Sequence, residues 1–320
     1  MQALLDLFGQ VQEALFEGVV QPLVFGLGAG NLLEDAFRAT GWLLVGVLQI
    51  VLLLTVLGAL QRWRPVEPVT DRGAVRVDIL YTLLHRLGLF RVVMFFTLDA
   101  AVVALASQLR LAGVPAFQLD GTWPGVTDLP WLSFLLYLLL FDFVDYWVHR
   151  GQHGLNAWWQ LHALHHSQRQ MTMWSDNRNH LLDDLIRDAI LALVALGVGV
   201  GPGQFVAIVA LTQLVESLSH ANLRLSFGPV FGRLLVSPGY HRTHHQIGIG
   251  HESAGQGSLG GCNFAVLFPA WDLLFRTARL QPDYGPTGIR DQLPGQGARD
   301  YGQGFWSQQW RGVLRLVGRA

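Results

Sequence analysis

The stretch LPWLSFLLYLLLFDFVDYWVHRGQHGLNAWWQLHALHH, residues 129–166, decides what kind of protein this is. Its first twenty residues are apolar apart from two acids near their end, long enough to cross hydrocarbon about 30 Å thick as a helix. The next eighteen hold five histidines. Imidazoles crowded at the end of a lipid-embedded helix require a reason.

The rest of the 320-residue chain fits a lipid environment. Half of it is hydrophobic (51%) and 14% is charged, against roughly 25% charged in soluble domains. Residues 41–61 carry no charge, and residues 89–109 form another apolar run with Asp99 inside it. Residues 189–215 are also uncharged but contain Gly201-Pro202-Gly203. That break predicts two helices, about 181–200 and 203–222, in place of one. The expected fold is therefore an all-α membrane bundle of about four transmembrane helices with interfacial helices and a histidine-rich cap. Its divisions are an N-terminal part over 1–128, a catalytic part over 129–280 and a tail over 281–320. The first twenty residues lack a basic region, and read as an interfacial helix and not as a secretory signal.

A formal charge of −1 excludes a bulk basic surface for nucleic acid. A single cysteine, Cys262, excludes internal disulfides and Cys-ligated clusters. All 22 basic residues are arginine, and five of them (Arg62, Arg64, Arg72, Arg76 and Arg86) fall between the first two spans. The positive-inside rule places that segment in the cytoplasm. Counting spans from there brings His149 and every later histidine to the cytoplasmic face, provided that 181–222 is a hairpin.

Ten of the twelve histidines lie between 149 and 245. They form His149-x3-His153, His162-x2-His165-His166, single His180 and His220, and His241-x2-His244-His245. Spacings of three and four put each group on one helix face. So many clustered neutral imidazoles are best satisfied by a metal, and ten exceed what one ion holds, so two ions are implied. Acids stand where they can orient such ligands: Asp142 and Asp145 before His149, Asp183 and Asp184 after His180, Glu216 before His220. The alternative for each is a helix cap or an ion pair with Arg150 or Arg187.

The order HRxxH, HxxHH, a histidine after "RN", "HAN", then HxxHH followed by "NFAVLFPAWDLLFRT" closely resembles the fatty acid hydroxylase/sterol desaturase superfamily, over about residues 130–280. The resemblance implies an integral-membrane di-iron enzyme that uses O2 and external electrons to hydroxylate or desaturate a sterol or fatty-acyl lipid at unactivated C–H bonds. By position it implies the ligands His149, His153, His162, His165, His166, His180, His220, His241, His244 and His245. It further implies two iron ions, O2 as co-substrate and a separate electron donor, a ferredoxin or a cytochrome with its reductase. The expected location is a bacterial inner membrane. Arg150, Arg169, Arg178 and Arg242 are candidates to receive an acidic carrier or lipid headgroups.

The sequence departs from the family pattern at QIGIGHESAGQGSLGGC, residues 246–262, which separates the last box from Asn263. His251 there is read as exposed or structural, the alternatives being an extra ligand or a substrate contact. Gly255-x-Gly257-x-x-Gly260 matches a dinucleotide fingerprint only formally, since no strand precedes it. His85 is read as structural, and Asp99 as either a cavity-shaping residue or a partner of a neighbouring helix. The tail segment FWSQQWRGVLRLVG puts Trp306, Trp310, Val313, Leu314 and Val317 on one face, suited to a membrane surface or to packing on the protein. The competing functional class is a histidine-rich membrane metal-binding or transport protein, although transport sites normally sit at the bilayer midplane. A zinc hydrolase would need a motif such as HExxH, which is absent.

Overall fold

A computed structural model of the chain describes residues 2–253 and 260–319. Helix α1 covers residues 2–26, and α2 (Gly30–Trp63) contains the first apolar run. Helix α3 (Arg72–Arg86) is followed by α4 (Leu89–Leu111) and α5 (Pro130–Gly154). Then come α6 (Asn156–His166), α7 (Leu181–Val198), α8 (Pro202–His220), α9 (Pro238–His244) and α10 (Phe305–Leu316). Among the described residues there is no strand, only an isolated bridge between Gln246 and Thr287. Gly255 and Gly257 of the glycine pattern lie outside the described residues.

Three helices, α2, α4 and α5, are long and apolar enough to cross a membrane. Their outward faces carry exposed aliphatic and aromatic side chains such as Leu48, Leu54, Phe96 and Val103. Water would not tolerate such a surface, whereas lipid does; this is a membrane protein. The predicted hairpin is present as α7 and α8, with the chain reversing at Gly199, which adopts φ +70. Asp183, Asp184, Arg187 and Asp188 make the first half of α7 polar, so it does not read as a lipid-facing span.

Helix α5 runs past the expected end of its apolar segment and carries His149 and His153 on its final turns. The arginine-rich segment between α2 and α4 packs directly on the histidine-bearing loops. Gln61 accepts from the backbone of Met173 and Asn222, Arg178 pairs with Asp78, and Arg242 pairs with Glu67. Segment 62–88 and the histidines therefore share one end of the bundle. At its centre Arg86, 3% exposed, donates to Gln49, Asp176, Gln213 and Ser217, joining α2, α3, α8 and the 175–177 turn. Helix α2 closes on this point through Gly46, where any Cβ would collide with the Arg86 carbonyl.

The tail helix α10 packs on α6, burying Phe305, Gln308, Gln309, Gly312 and Arg315. Its apolar side faces outward, with Trp306 78% and Trp310 62% exposed. Of the two roles the sequence left open for this helix, packing on the protein is met by its polar face.

Candidate metal centre

Nine of the ten expected histidines converge. Their ring nitrogens form two quartets, His149/His153/His162/His166 and His165/His220/His241/His245, and His166, His244 and His245 form a trio between them. The ligand atoms within each group lie within 4.8 Å of one another. Helices α5 and α6 supply the first quartet, while α6, α8 and the α9 end supply the second, so α6 contributes to both.

The Nε2 atoms meet at short range: His153 and His166 at 3.0 Å, His166 and His244 at 3.1 Å. In the second group His165–His220, His220–His241 and His241–His245 are each at 3.1 Å. On four rings the opposite nitrogen settles which atom carries the proton. Nδ1 of His149 donates to the Phe264 carbonyl, His153 to Gly260, His244 to Cys262 and His220 to Glu216. A carbonyl only accepts, so each of these rings, when neutral, presents a bare lone pair at Nε2. The rings they face include His165 and His241, which with His245 keep a buried Nδ1 without a partner, so the imidazoles cannot all satisfy one another, and a cation that accepts their lone pairs resolves this. The Nε2–Nε2 spacing matches neighbouring nitrogens that each bind one ion at about 2.0–2.1 Å. The residues fit a pair of metal ions.

Protons are a poor substitute for the metal. Burial first, then the neighbouring imidazoles, holds His165, His166, His241 and His245 well below the ordinary histidine range. Burial also brings His244 down to about 3. The unfolded chain takes up these protons near pH 6.5. Between that value and the depressed native values the unfolded state binds more protons, so stability rises with pH there. The metal-stripped protein is accordingly expected to be fully stable above about pH 6.5. It should lose stability progressively as pH falls toward 3, a loss read from melting temperatures across that window.

His180 stands apart. It caps α7, its Nδ1 accepting from Leu182 N at 3.2 Å, while Nε2 donates to the Gln309 carbonyl at 2.9 Å. Both nitrogens are occupied, which corrects the position-based expectation of a tenth ligand. His251 is stacked on Trp159 with ring centroids 5.2 Å apart and bonds the His153 carbonyl, a structural role. His85 pairs with Asp184 at 3.0 Å.

Of the five acids expected to orient ligands, Asp183 alone reaches a histidine of the centre with its carboxylate, whereas Glu216 meets His220 only through its backbone carbonyl. Its Oδ2 accepts from His162 Nδ1 at 3.0 Å, while Gln152 and Trp158 donate to Oδ1. Replacing Asp183 by alanine strands its three donors, two of them buried, and frees the His162 ring; metal affinity is expected to drop about 10–100-fold, measured by chelator competition. Asp145 instead forms a two-pronged pair with Arg187, and Glu216 lies 3.6 Å from the same arginine. These contacts arise because the α5, α7 and α8 faces bearing the acids turn toward one another, not toward the rings.

Asp142 acts one step further out. It accepts from Leu267 N, Phe268 N and Trp271 Nε1. Asp272 accepts from Phe264 N, Ala265 N and the Tyr240 hydroxyl. Together they clamp the segment whose carbonyls at 260, 262 and 264 orient three ligands. Asn263, at φ +58 and bonded to Tyr240 and Arg279, supplies the left-handed turn between two of those carbonyls. Sequence reasoning had noted "NFAVLFPAWD" only as a resemblance; backbone carbonyls leave no residue-type signal.

Arg178 and Arg242 are buried in ion pairs with Asp78 and Glu67, so neither is open to a carrier or a headgroup. Arg169 is exposed.

A small cavity of about 60 Å³ touches His149, His162, His165, His220 and His241. A larger one of about 590 Å³ lies between α2, α4, α5, α7 and α8. Both are lined by Asp145, Asp176, Asn179, Asp184, Arg187 and Glu216, which form the neck between them. Asp99 and His85 line the larger cavity.

Residues 134–277 match the fatty acid hydroxylase family model. The chain is 26% identical to ornithine lipid hydroxylase OlsE of Rhizobium tropici over 256 residues, 79% of this chain and 73% of that one. It is 27% identical to alkylglycerol monooxygenase of Danio rerio over 202 residues, 60% of this chain and 42% of the relative. It is 23% identical to methylsterol monooxygenase 1-3 of Arabidopsis thaliana over 220 residues, 65% of this chain and 68% of the relative. No solved structure matches. The match over 134–277 falls on the helices and loops that carry the histidine clusters, so it is this part of the chain that is similar to the fatty acid hydroxylase family.

Proposed function

We propose that this protein is a membrane-bound di-iron oxygenase that hydroxylates or desaturates a lipid. The observation that supports this best is the convergence of nine buried imidazoles into two quartets and a linking trio, four of the rings turned by backbone carbonyls so that Nε2 faces inward. Neutral imidazole donors suit iron, and iron supplies the oxidising power that an unactivated C–H bond demands and that no side chain possesses. His149, His153, His162 and His166 would hold one ion, and His165, His220, His241 and His245 the other, with His244 facing the first group through His166.

The chain's own contribution is positioning. The Gly260, Cys262, Phe264 and Glu216 carbonyls and the Asp183 carboxylate keep proton-bearing nitrogens outward and lone pairs inward. The larger cavity brings substrate from the bilayer to the neck beside the centre. Its outer wall is α4, of whose span window only 6% is buried, so entry is sideways from lipid. In hydroxylation one atom of O2 enters the C–H bond and the other leaves as water, which consumes two electrons and two protons from a separate donor. A ferredoxin or a cytochrome with its reductase fits that role. The shared end of segment 62–88 and the histidines supports a cytoplasmic centre, reached by such carriers in a bacterial inner membrane.

Anaerobically purified protein is expected to contain about two irons per chain, and to consume O2 when reductant and membrane lipid are added. Stoichiometric zinc with no O2 uptake after iron reconstitution would overturn the reading in favour of a metal-binding protein.

A further inference from the structure

The larger cavity is polarised along its length, and its polar end is the one that meets the histidines. On α7 the lining passes from Asp184, Arg187 and Asp188 to Leu191, Ala195 and Leu196. On antiparallel α8 it passes, from the same end, from Glu216 and Gln213 to Val209, Ile208 and Phe205. On α2 it passes from Gln49, bonded to Arg86, to Val45 and Trp42. Three helices repeat one gradient. On α4 the lining carries Arg91, whose guanidinium lies 4.1 Å from the Trp42 ring centroid, and Asp99; Gln118 is a further polar group of the wall.

We infer that the substrate lies with its polar headgroup in the neck and its hydrocarbon running away between α7 and α8, so that the oxidised carbon belongs to the headgroup or to the carbons beside it. This rests on the lipid-oxygenase reading above. A methyl end or mid-chain segment held in the neck would strip water from the Asp145–Arg187 pair and from Glu216 without replacing its hydrogen bonds, which is costly. A headgroup replaces them. The neck is acceptor-rich: Arg187 is shared between Asp145 and Glu216, and no hydrogen bond from the described residues reaches the Asp188 carboxylate. It therefore fits hydrogen-bond donors such as ammonium, amide or hydroxyl groups. A volume of about 590 Å³ lies in the range of single-ligand sites, roughly 300–1,000 Å³.

Photolabelling reads this orientation without turnover. The full chain, reconstituted in lipid nanodiscs, is exposed to a long-chain primary amine with a diazirine either beside the amine or near the methyl end. Labelled peptides are mapped by mass spectrometry. The headward probe is expected to label the 184–188 and 212–216 turns, and the tailward probe residues 195–209. A reversed or identical pattern overturns the orientation. The same chain without a polar head should label the neck roughly tenfold less, the factor that 1.4 kcal/mol of lost hydrogen bonding gives; equal labelling overturns the headgroup role. Glu216→Gln should weaken headward labelling by the amine and leave tailward labelling by the headless chain intact; unchanged headward labelling removes Glu216 from the site. Absence of iron or of O2 uptake would sink the oxygenase reading alone, because labelling depends on neither.

Discussion

Replacement of His166 by alanine is expected to take both metal content and turnover down together. His166 meets His153 at 3.0 Å and His244 at 3.1 Å, and stacks on His245 with ring centroids 4.3 Å apart. It belongs to one quartet and to the trio that links it to the other. Its loss opens one ion site and removes the ring that spaces the second. Iron should fall from about two per chain to one or fewer, with turnover reduced on the order of a thousandfold or more, as for residues that act as a unit. Metal analysis with O2 uptake reads both. His180→Ala is the contrast: iron is retained, and the lost α7 cap costs about 1 kcal/mol. Equal metal loss in the two variants would show that the quartets are not the binding sites.

The largest expected effect on stability falls outside the histidines, at Arg86. Its guanidinium holds Asp176 at 2.8 Å and gathers Gln49, Gln213 and Ser217 around it at 3% exposure. Alanine there leaves a buried carboxylate and several oriented amides without their partner. Removing one member of a buried pair costs about 3–5 kcal/mol. Arg86→Lys keeps the charge but not the planar fork, and should fall between. Thermal unfolding in detergent measures the series; a melting temperature unchanged in Arg86→Ala would mean that Asp176 finds a substitute donor. Asp176 also lines the neck, so the same variant is expected to loosen the route from cavity to centre.

The histidine boxes were legible because helical spacing acts locally. Positions three and four apart share a face whatever the rest of the chain does, so His149 with His153 and His162 with His166 meet in one quartet, while His165 of the same box turns to the other. The apolar runs and the Gly-Pro-Gly break were legible for the same reason. Asp142 and Asp145 show the limit. Both lie within reach of His149 along α5, yet one clamps the 267–268 backbone and the Trp271 indole and the other pairs with Arg187 on α7. Sequence distance gives a residue's face, not its neighbour across the bundle. His180 shows the same limit: the resemblance implied a ligand by position, but α10 brings the Gln309 carbonyl to its Nε2.

From sequence alone came the membrane setting, the helical hairpin and a histidine-rich site beside the span ends. Each follows from composition or from the period of one helix. Tertiary structure decided that nine rings and not ten converge, that backbone carbonyls at 260, 262 and 264 orient three of them, and that a polarised cavity ends beside the centre. Those outcomes depend on distances between helices far apart in sequence, and such distances are set by packing and by the pairing of buried charges.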